Sequence, residues 1–123
     1  MIGYTTIGTN DLAKSASFYD ALFLTLGAGR TMEADDFIAW GKAENTPMFS
    51  IHIPADGGMA TVGNGVMIAL AAANSETVDE LYDLALALGG SCEGPPGPRG
   101  DGGFYAGYFR DLDGNKLNVH SMI

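Results

Sequence analysis

His52 and His120 are the only imidazoles in a chain of 123 residues, and each closes a stretch of the same pattern. Phe49-Ser50-Ile51-His52 maps onto Leu117-Asn118-Val119-His120 at an offset of 68, apolar on apolar and histidine on histidine. An imidazole ordinarily titrates near ~6.5, so His52 and His120 are the candidate acid/base groups. Two imidazoles without a carboxylate make only a weak site for a divalent ion. Histidines that are simply hydrogen-bonded or exposed are the plainer alternative. Trp40, Phe104, Tyr105 and Tyr108 could stack on a flat ligand, or could serve as core. Arg99 stands in a Gly/Pro-rich stretch, where it could clamp an anion or be solvated. Cys92 is the only cysteine, so no intramolecular disulfide can form. It has no base beside it and lies next to Glu93, which suits a structural thiol better than a nucleophile.

The elements that must position these residues come as two copies of one pattern. Residues 3–9 form a strand rich in Thr and Ile, and Asn10-Asp11 offers a helix N-cap. Leu12, Ala16, Tyr19, Phe23 and Leu26 recur at helical spacing before the stop at Gly27. Strands follow at 29–34, 37–41 and 49–53, then a turn-rich linker. The pattern restarts with a strand at 66–72, a cap at Asn74-Ser75, and Val78, Leu81, Tyr82, Ala85 and Leu88 along a second helix. Strands near 90–93, 104–110 and 117–120 complete it. An offset of 63 carries Tyr4 onto Met67, Tyr19 onto Tyr82 and Asp20 onto Asp83. The expected architecture is α+β, two βαβββ modules at 1–55 and 64–123 within one domain, 1–123.

Strand alternation sorts the side chains into two faces. Phe49, Ile51, Ile68, Leu70, Leu117 and Val119 would pack under the helices. Tyr4, Thr6, Ser50, His52, Met67, Ala69, Asn118 and His120 share the other face, which carries no Lys, Arg or Glu. A partly polar pocket accounts for that composition, and an ordinary second core is the alternative.

Six Lys+Arg against fifteen Asp+Glu give a formal net charge of −9. Phosphate and anionic membranes repel such a chain, so neither nucleic acid nor a membrane is an expected partner. No basic segment leads into an apolar run at the N-terminus, and no window is long and apolar enough to span a bilayer. With one cysteine, a cytoplasmic location is expected. Glycine is abundant, 18 of 123 against a usual share of roughly 7%, without a three-residue period. Those residues fall mainly at turns and in the 94–103 segment, expected to be a mobile flap over the pocket.

Asn10-Asp11-Leu12 with Ser15 and Phe18-Tyr19 ahead of Leu26-Gly27 resembles the opening of vicinal oxygen chelate proteins, the glyoxalase/bleomycin resistance/dioxygenase superfamily. Arg110-Asp111-Leu112-Asp113-Gly114-Asn115-Lys116-Leu117 resembles their closing hairpin, with Leu112 where Pro is usual. Gly63 to Leu70 is similar to the strand that opens their second module. The resemblance implies paired modules rolled into a half-barrel around a cavity, and a homodimer. It also implies a divalent metal, but the corresponding positions hold Tyr4, Ser50, Met67 and Asn118, which are poor ligands for a hard ion. No cofactor is therefore expected.

Three functions remain open on these grounds. The first is metal-free binding of a small organic molecule, as in the bleomycin-resistance branch, with Tyr4, Thr6, Trp40, Ser50, Met67, Arg99, Tyr105, Tyr108 and Asn118 lining the site. The acidic balance inclines it toward a neutral or cationic ligand. The second is a glyoxalase-like lyase or isomerase, or a dioxygenase-like enzyme, acting through His52 and His120. The third is a non-catalytic structural or regulatory subunit.

Overall fold

Asp11 and Asn74 start the two helices of the computed structural model, which describes residues 1–122. The Asp11 carboxylate accepts the Lys14 N–H at 3.1 Å, and the Asn74 side chain accepts that of Thr77 at 2.9 Å. Each thereby satisfies a donor that the first helical turn leaves without a partner. Helix α1 runs Leu12–Leu24 and α2 runs Ser75–Ala87. Their boundaries and their caps are separated by the same 63 residues. Leu26 and Leu88, expected on the apolar faces, fall just beyond the helices.

The first module contains β1 (Tyr4–Gly8), β2 (Gly29–Glu33), β3 (Phe37–Gly41) and β4 (Met48–His52) in the order β1-β4-β3-β2. The second contains β5 (Ile68–Ala71), β6 (Ser91–Pro98), β7 (Phe104–Arg110) and β8 (Lys116–Met122) in the order β5-β8-β7-β6. In each, the first strand pairs in parallel with the last, and the remaining pairs are antiparallel. Thr6 lies opposite Ser50, and Ala69 opposite Asn118. The register thus joins the offset of 63 to that of 68. The chain divides into two compact units, Met1–Thr61 and Val62–Ile123.

An aromatic cluster seals α1 to its sheet. Tyr19 is fully buried, with ring centroids of Phe18, Phe23, Trp40 and Phe49 at 4.8 to 5.8 Å. The Trp40 indole would be costly to bury without an acceptor. Its Nε1–H donates to Asp20 Oδ1 at 2.9 Å, while Arg30 grips both oxygens of the same carboxylate at 2.9 and 2.7 Å. In the second module Val78, Leu81 and Ala85 of α2 are buried, as are Phe109, Leu117 and Val119 of its sheet.

Two expectations change here. The segment expected as a mobile flap is largely β6, paired along β7 through Pro98 with register shifts near Gly94 and Gly97. Pro95, Pro96 and Pro98 are accommodated because β6 is an edge strand, where N–H groups can be spared. The fifth strand is also shorter than 66–72, so Met67 precedes it.

The closing hairpin is built on Asp111. Its carboxylate accepts the backbone N–H groups of Asp113 and Asn115 and the Asn115 amide, at 2.9, 2.9 and 3.0 Å. Gly114 takes φ +91, a conformation other residues adopt at a cost. The linker returns to the first module at Gly8, where an added Cβ would lie 2.9 Å from that of Ala60. Asn10 holds the same residue through both of its amide atoms, with Ala60 N–H donating at 2.7 Å.

Hydrogen bonding from Arg30 holds the Asp20 carboxyl below its usual range, with Trp40 adding to the effect and partial burial opposing it. A carboxylate with a lowered folded-state pKa contributes stability above its unfolded value of ~3.9, and that contribution is lost as pH falls through the lowered value. Asp20→Asn should therefore be less stable than the parent at neutral pH. In urea unfolding from about pH 7 to about pH 2, the gap should close below about pH 4. A gap independent of pH would remove Asp20 ionisation from the account.

Candidate functional site

With one face of the first sheet covered by α1, alternation turns Tyr4, Thr6, Phe37, Ala39, Met48, Ser50 and His52 to the other. These residues, with Met32 and the linker residues Pro54 to Asp56 and Met59 to Thr61, line an open groove of about 800 Å³. Its volume lies within the ~300–1,000 Å³ usual for small-molecule sites. No lysine or arginine lines it, and Asp56 is its only carboxylate. Ser50 is buried and its hydroxyl donates to the Thr5 carbonyl at 2.8 Å, tying β4 to β1.

His52 stands at one end of the groove. Its ring lies parallel to Phe37, 4° between planes and 5.8 Å between centroids, with the two residues opposite each other in the ladder. Nδ1 contacts the Ile53 carbonyl, and Nε2 lies 3.7 Å from the Asp36 carboxylate. His120 repeats the motif in the second module: its ring stacks on Phe104 at 5.3 Å, and Nδ1 meets Asn118 Oδ1 at 3.1 Å.

Of the residues expected to bind ligand, Tyr4, Thr6 and Ser50 come together in the groove with His52. Trp40 does not. It is 1% exposed on the helix side of β3, because its neighbours Phe37 and Ala39 set the opposite parity. Tyr105 is also displaced: its hydroxyl reaches the α2 side and donates to Asp79 at 2.6 Å, which raises its pKa. Met67 lines a separate hollow of about 750 Å³ in the second module, with residues 62–66, Arg110, Gly114 and Lys116. Tyr108, Asn118 and His120 share the face of that sheet opposite the buried Phe109, Leu117 and Val119, and Asn118 is itself buried there. Arg99 lies over the Tyr108 ring at 5.4 Å.

Several groove residues escape the sequence argument. Phe37 could have been placed by its odd spacing from Trp40, since strand neighbours of opposite parity face opposite ways. Met48 follows from the same alternation, two residues before Ser50, whereas Met32 beside the β2 register shift and Met59 in the linker carry no such signal. Cys92 is exposed on β6, and its hydrogen bond with Tyr82, aided by burial, pushes the tyrosine hydroxyl up to about 12.

At the positions that the resemblance assigns to metal ligands, the first module supplies a phenol and an alcohol, Tyr4 and Ser50, and the second a thioether and a carboxamide, Met67 and Asn118. They do not fit a hard divalent ion, which prefers carboxylate and imidazole donors. Among the described residues no three His, Cys, Asp or Glu side chains gather as a metal-ligand group.

Residues 1–119 match the model of the glyoxalase/bleomycin resistance protein/dioxygenase superfamily. The chain belongs to that superfamily. It is similar to a glyoxalase/bleomycin resistance protein from Albidiferax ferrireducens T118, at 36% identity and a TM-score of 0.90 over 100% of this chain and 99% of the other. A hypothetical protein from S. aureus, SA1046, is 25% identical over 98% of this chain and 92% of its own, at a TM-score of 0.73. A lactoylglutathione lyase from Agrobacterium tumefaciens shares the superfamily fold at 23% identity and a TM-score of 0.71, over 98% and 92% of the two chains. No curated protein matches the chain. No helix is long and apolar enough to cross a membrane among the described residues.

The two aromatic residues on opposite faces of the first sheet should respond differently to truncation. Trp40→Ala should cost about 3–5 kcal/mol in urea unfolding, as a buried aromatic does. Tyr4→Ala should change stability by no more than about 0.5 kcal/mol, since Tyr4 is 66% exposed. Equal losses would put Tyr4 in the core.

Proposed function

We propose that this superfamily member binds a small organic molecule in the first-module groove, without a metal and without transforming it. The observation that carries the proposal is the lining: the Tyr4 and Phe37 rings and the thioethers of Met32, Met48 and Met59, around a few neutral polar groups. Aromatic faces suit a flat ligand, and methionines adapt their shape to one. With Asp56 in the lining and Asp36 beside His52, a neutral or cationic ligand is favoured. The donor set argues for a metal-free site. A cytoplasmic homodimer belongs to the same proposal, supported by the free thiol of Cys92 and by the outermost strands of the two sheets, β1, β2, β5 and β6, whose edges a second copy could cover.

A second reading rests on His52. With the Nδ1 proton facing the Ile53 carbonyl, Nε2 is the basic nitrogen in the groove wall, and the Asp36 carboxylate 3.7 Å from it would stabilise the imidazolium formed when it takes a proton. This reading would make the protein an enzyme acting on its bound molecule.

Protein purified without chelator should carry divalent metal well below one equivalent. A thermal-shift panel of small neutral and cationic aromatics should give ligands whose affinity by calorimetry falls about tenfold in Phe37→Ala, the loss of one aromatic contact. These ligands should be recovered unchanged. Stoichiometric metal lost in a His52→Ala/His120→Ala double variant would overturn the metal-free proposal. Turnover abolished by His52→Ala would establish the second reading, and a panel without any shift would favour a non-catalytic subunit.

A further inference from the structure

The second module carries a charge pattern that the groove does not use. Six lysines and arginines stand against a net charge of −9, yet three of the six converge on one small region of this module. Tyr108 and Arg110 on β7 lie opposite Asn118 and Lys116 on β8, one residue out of phase with the buried Phe109, Leu117 and Val119. They therefore lie on the opposite face of the sheet, where Tyr108, Arg110 and Lys116 are half-buried and Asn118 is buried. Arg99 joins them from the end of β6. Its guanidinium carbon lies 5.4 Å from the Tyr108 ring centroid, and the Lys116 ammonium lies 5.8 Å from the same centroid.

Gathering cations this way is unfavourable unless something offsets it. Arg110 and Lys116 are direct cross-strand partners, and like charges so placed repel. Glu93 offsets one of them: Arg110 Nε donates to Glu93 Oε1 at 2.5 Å, and Arg110 Nη1 donates to the Gly114 carbonyl at 2.9 Å. Arg110, with a smaller effect from Lys116, holds Glu93 below the usual carboxylate range. The nearby Asp111 carboxylate is buried and accepts N–H groups of its own hairpin.

Arg99 is held differently. Its Nη1 donates to the Gly97 carbonyl at 2.8 Å, and Nη2 donates to that of Pro95 at 2.7 Å. Neutral carbonyls fix the guanidinium in place, and among the described residues no carboxylate forms an ion pair with it. Space is available beside the cluster, since Arg110 and Lys116 line the hollow of about 750 Å³ bounded by residues 62–67.

We infer that this face of the second module binds the anionic group, a carboxylate or a phosphate, of a small organic molecule. Lys116 and Arg99 supply the charge beside the Tyr108 ring, and Arg110 stands next to them with Nε on Glu93 and Nη1 on the Gly114 carbonyl. Guanidinium and ammonium donors to an oxyanion make the stronger class of hydrogen bond. The site is argued on the second module alone and does not rest on the first-module groove.

The test is a titration of the full chain with sodium phosphate and with sodium acetate, followed by NMR shifts and compared with sodium chloride at matched ionic strength. Saturable shifts at Tyr108, Arg99 and Lys116 are expected with one oxyanion or both, and the tighter one identifies the group. Lys116→Gln should weaken binding about tenfold, while Lys116→Arg should retain it. Glu93→Gln should tighten it by releasing Arg110. Thermal melting of each variant shows that it is folded. Two results would overturn the inference: non-saturating shifts equal to those in chloride, or saturable binding unchanged in both Lys116→Gln and Arg99→Gln.

Discussion

Burial of one sheet face beneath one helix decides the rest of each module. Tyr19 in α1 cannot be enclosed unless Trp40 and Phe49 turn toward it. Once they do, alternation sends Phe37, Ala39, Met48, Ser50 and His52 the other way. A one-residue slip of β4 would put His52 in the core and expose Ile51, which is fully buried. The hydrophobic packing thus sets the position of the groove residues without touching them. The Ser50 hydrogen bond to Thr5 then fixes the parallel pair β1–β4, the join of highest contact order in the module.

The same constraint explains what could be read in the residues. Helix boundaries, caps and repeat offsets are local or periodic signals, and α1 and α2 reproduce the offset of 63 at both ends. The face of β4 and β8 was also legible, because Phe-Ser-Ile-His and Leu-Asn-Val-His alternate cleanly. Trp40 and Tyr105 were not. Each is amphipathic, with a ring suited to a core and a polar tip suited to a site. Their placement depends on one long-range acceptor apiece, Asp20 and Asp79. The length of β6 was hidden for another reason. Three prolines and several glycines read as loop, and only its place at the sheet edge permits pairing there.

Duplication has left the two open faces chemically unlike while the covered faces stay alike. Both modules bury aliphatic and aromatic residues under a 13-residue helix and stack a histidine on a phenylalanine near the strand end. Ser50 in one module answers to Asn118 in the other, and Tyr4 to Met67. None of these four donors holds a hard cation well, so the family frame persists here with donors suited to other contacts. A covered face must fill a volume, and few substitutions do so without loss. An open face answers only to solvent and ligand, so it can diverge while the fold stays fixed.

Net charge describes such a molecule poorly at close range. At physiological salt, fields fade over about 8 Å, so distant carboxylates do little to neutralise a cation held near Tyr108. The −9 total governs encounter with large charged surfaces, whereas contact is governed by whichever side chains stand within that distance. Around the first-module groove these are Asp36 and Asp56 with no nearby cation in the lining. Around Tyr108 they include Arg99, Arg110 and Lys116, with Glu93 paired to Arg110 and Asp111 engaged in its own hairpin. One acidic chain therefore distributes its charged side chains unevenly, with carboxylates beside the first-module groove and three of its six cations about Tyr108.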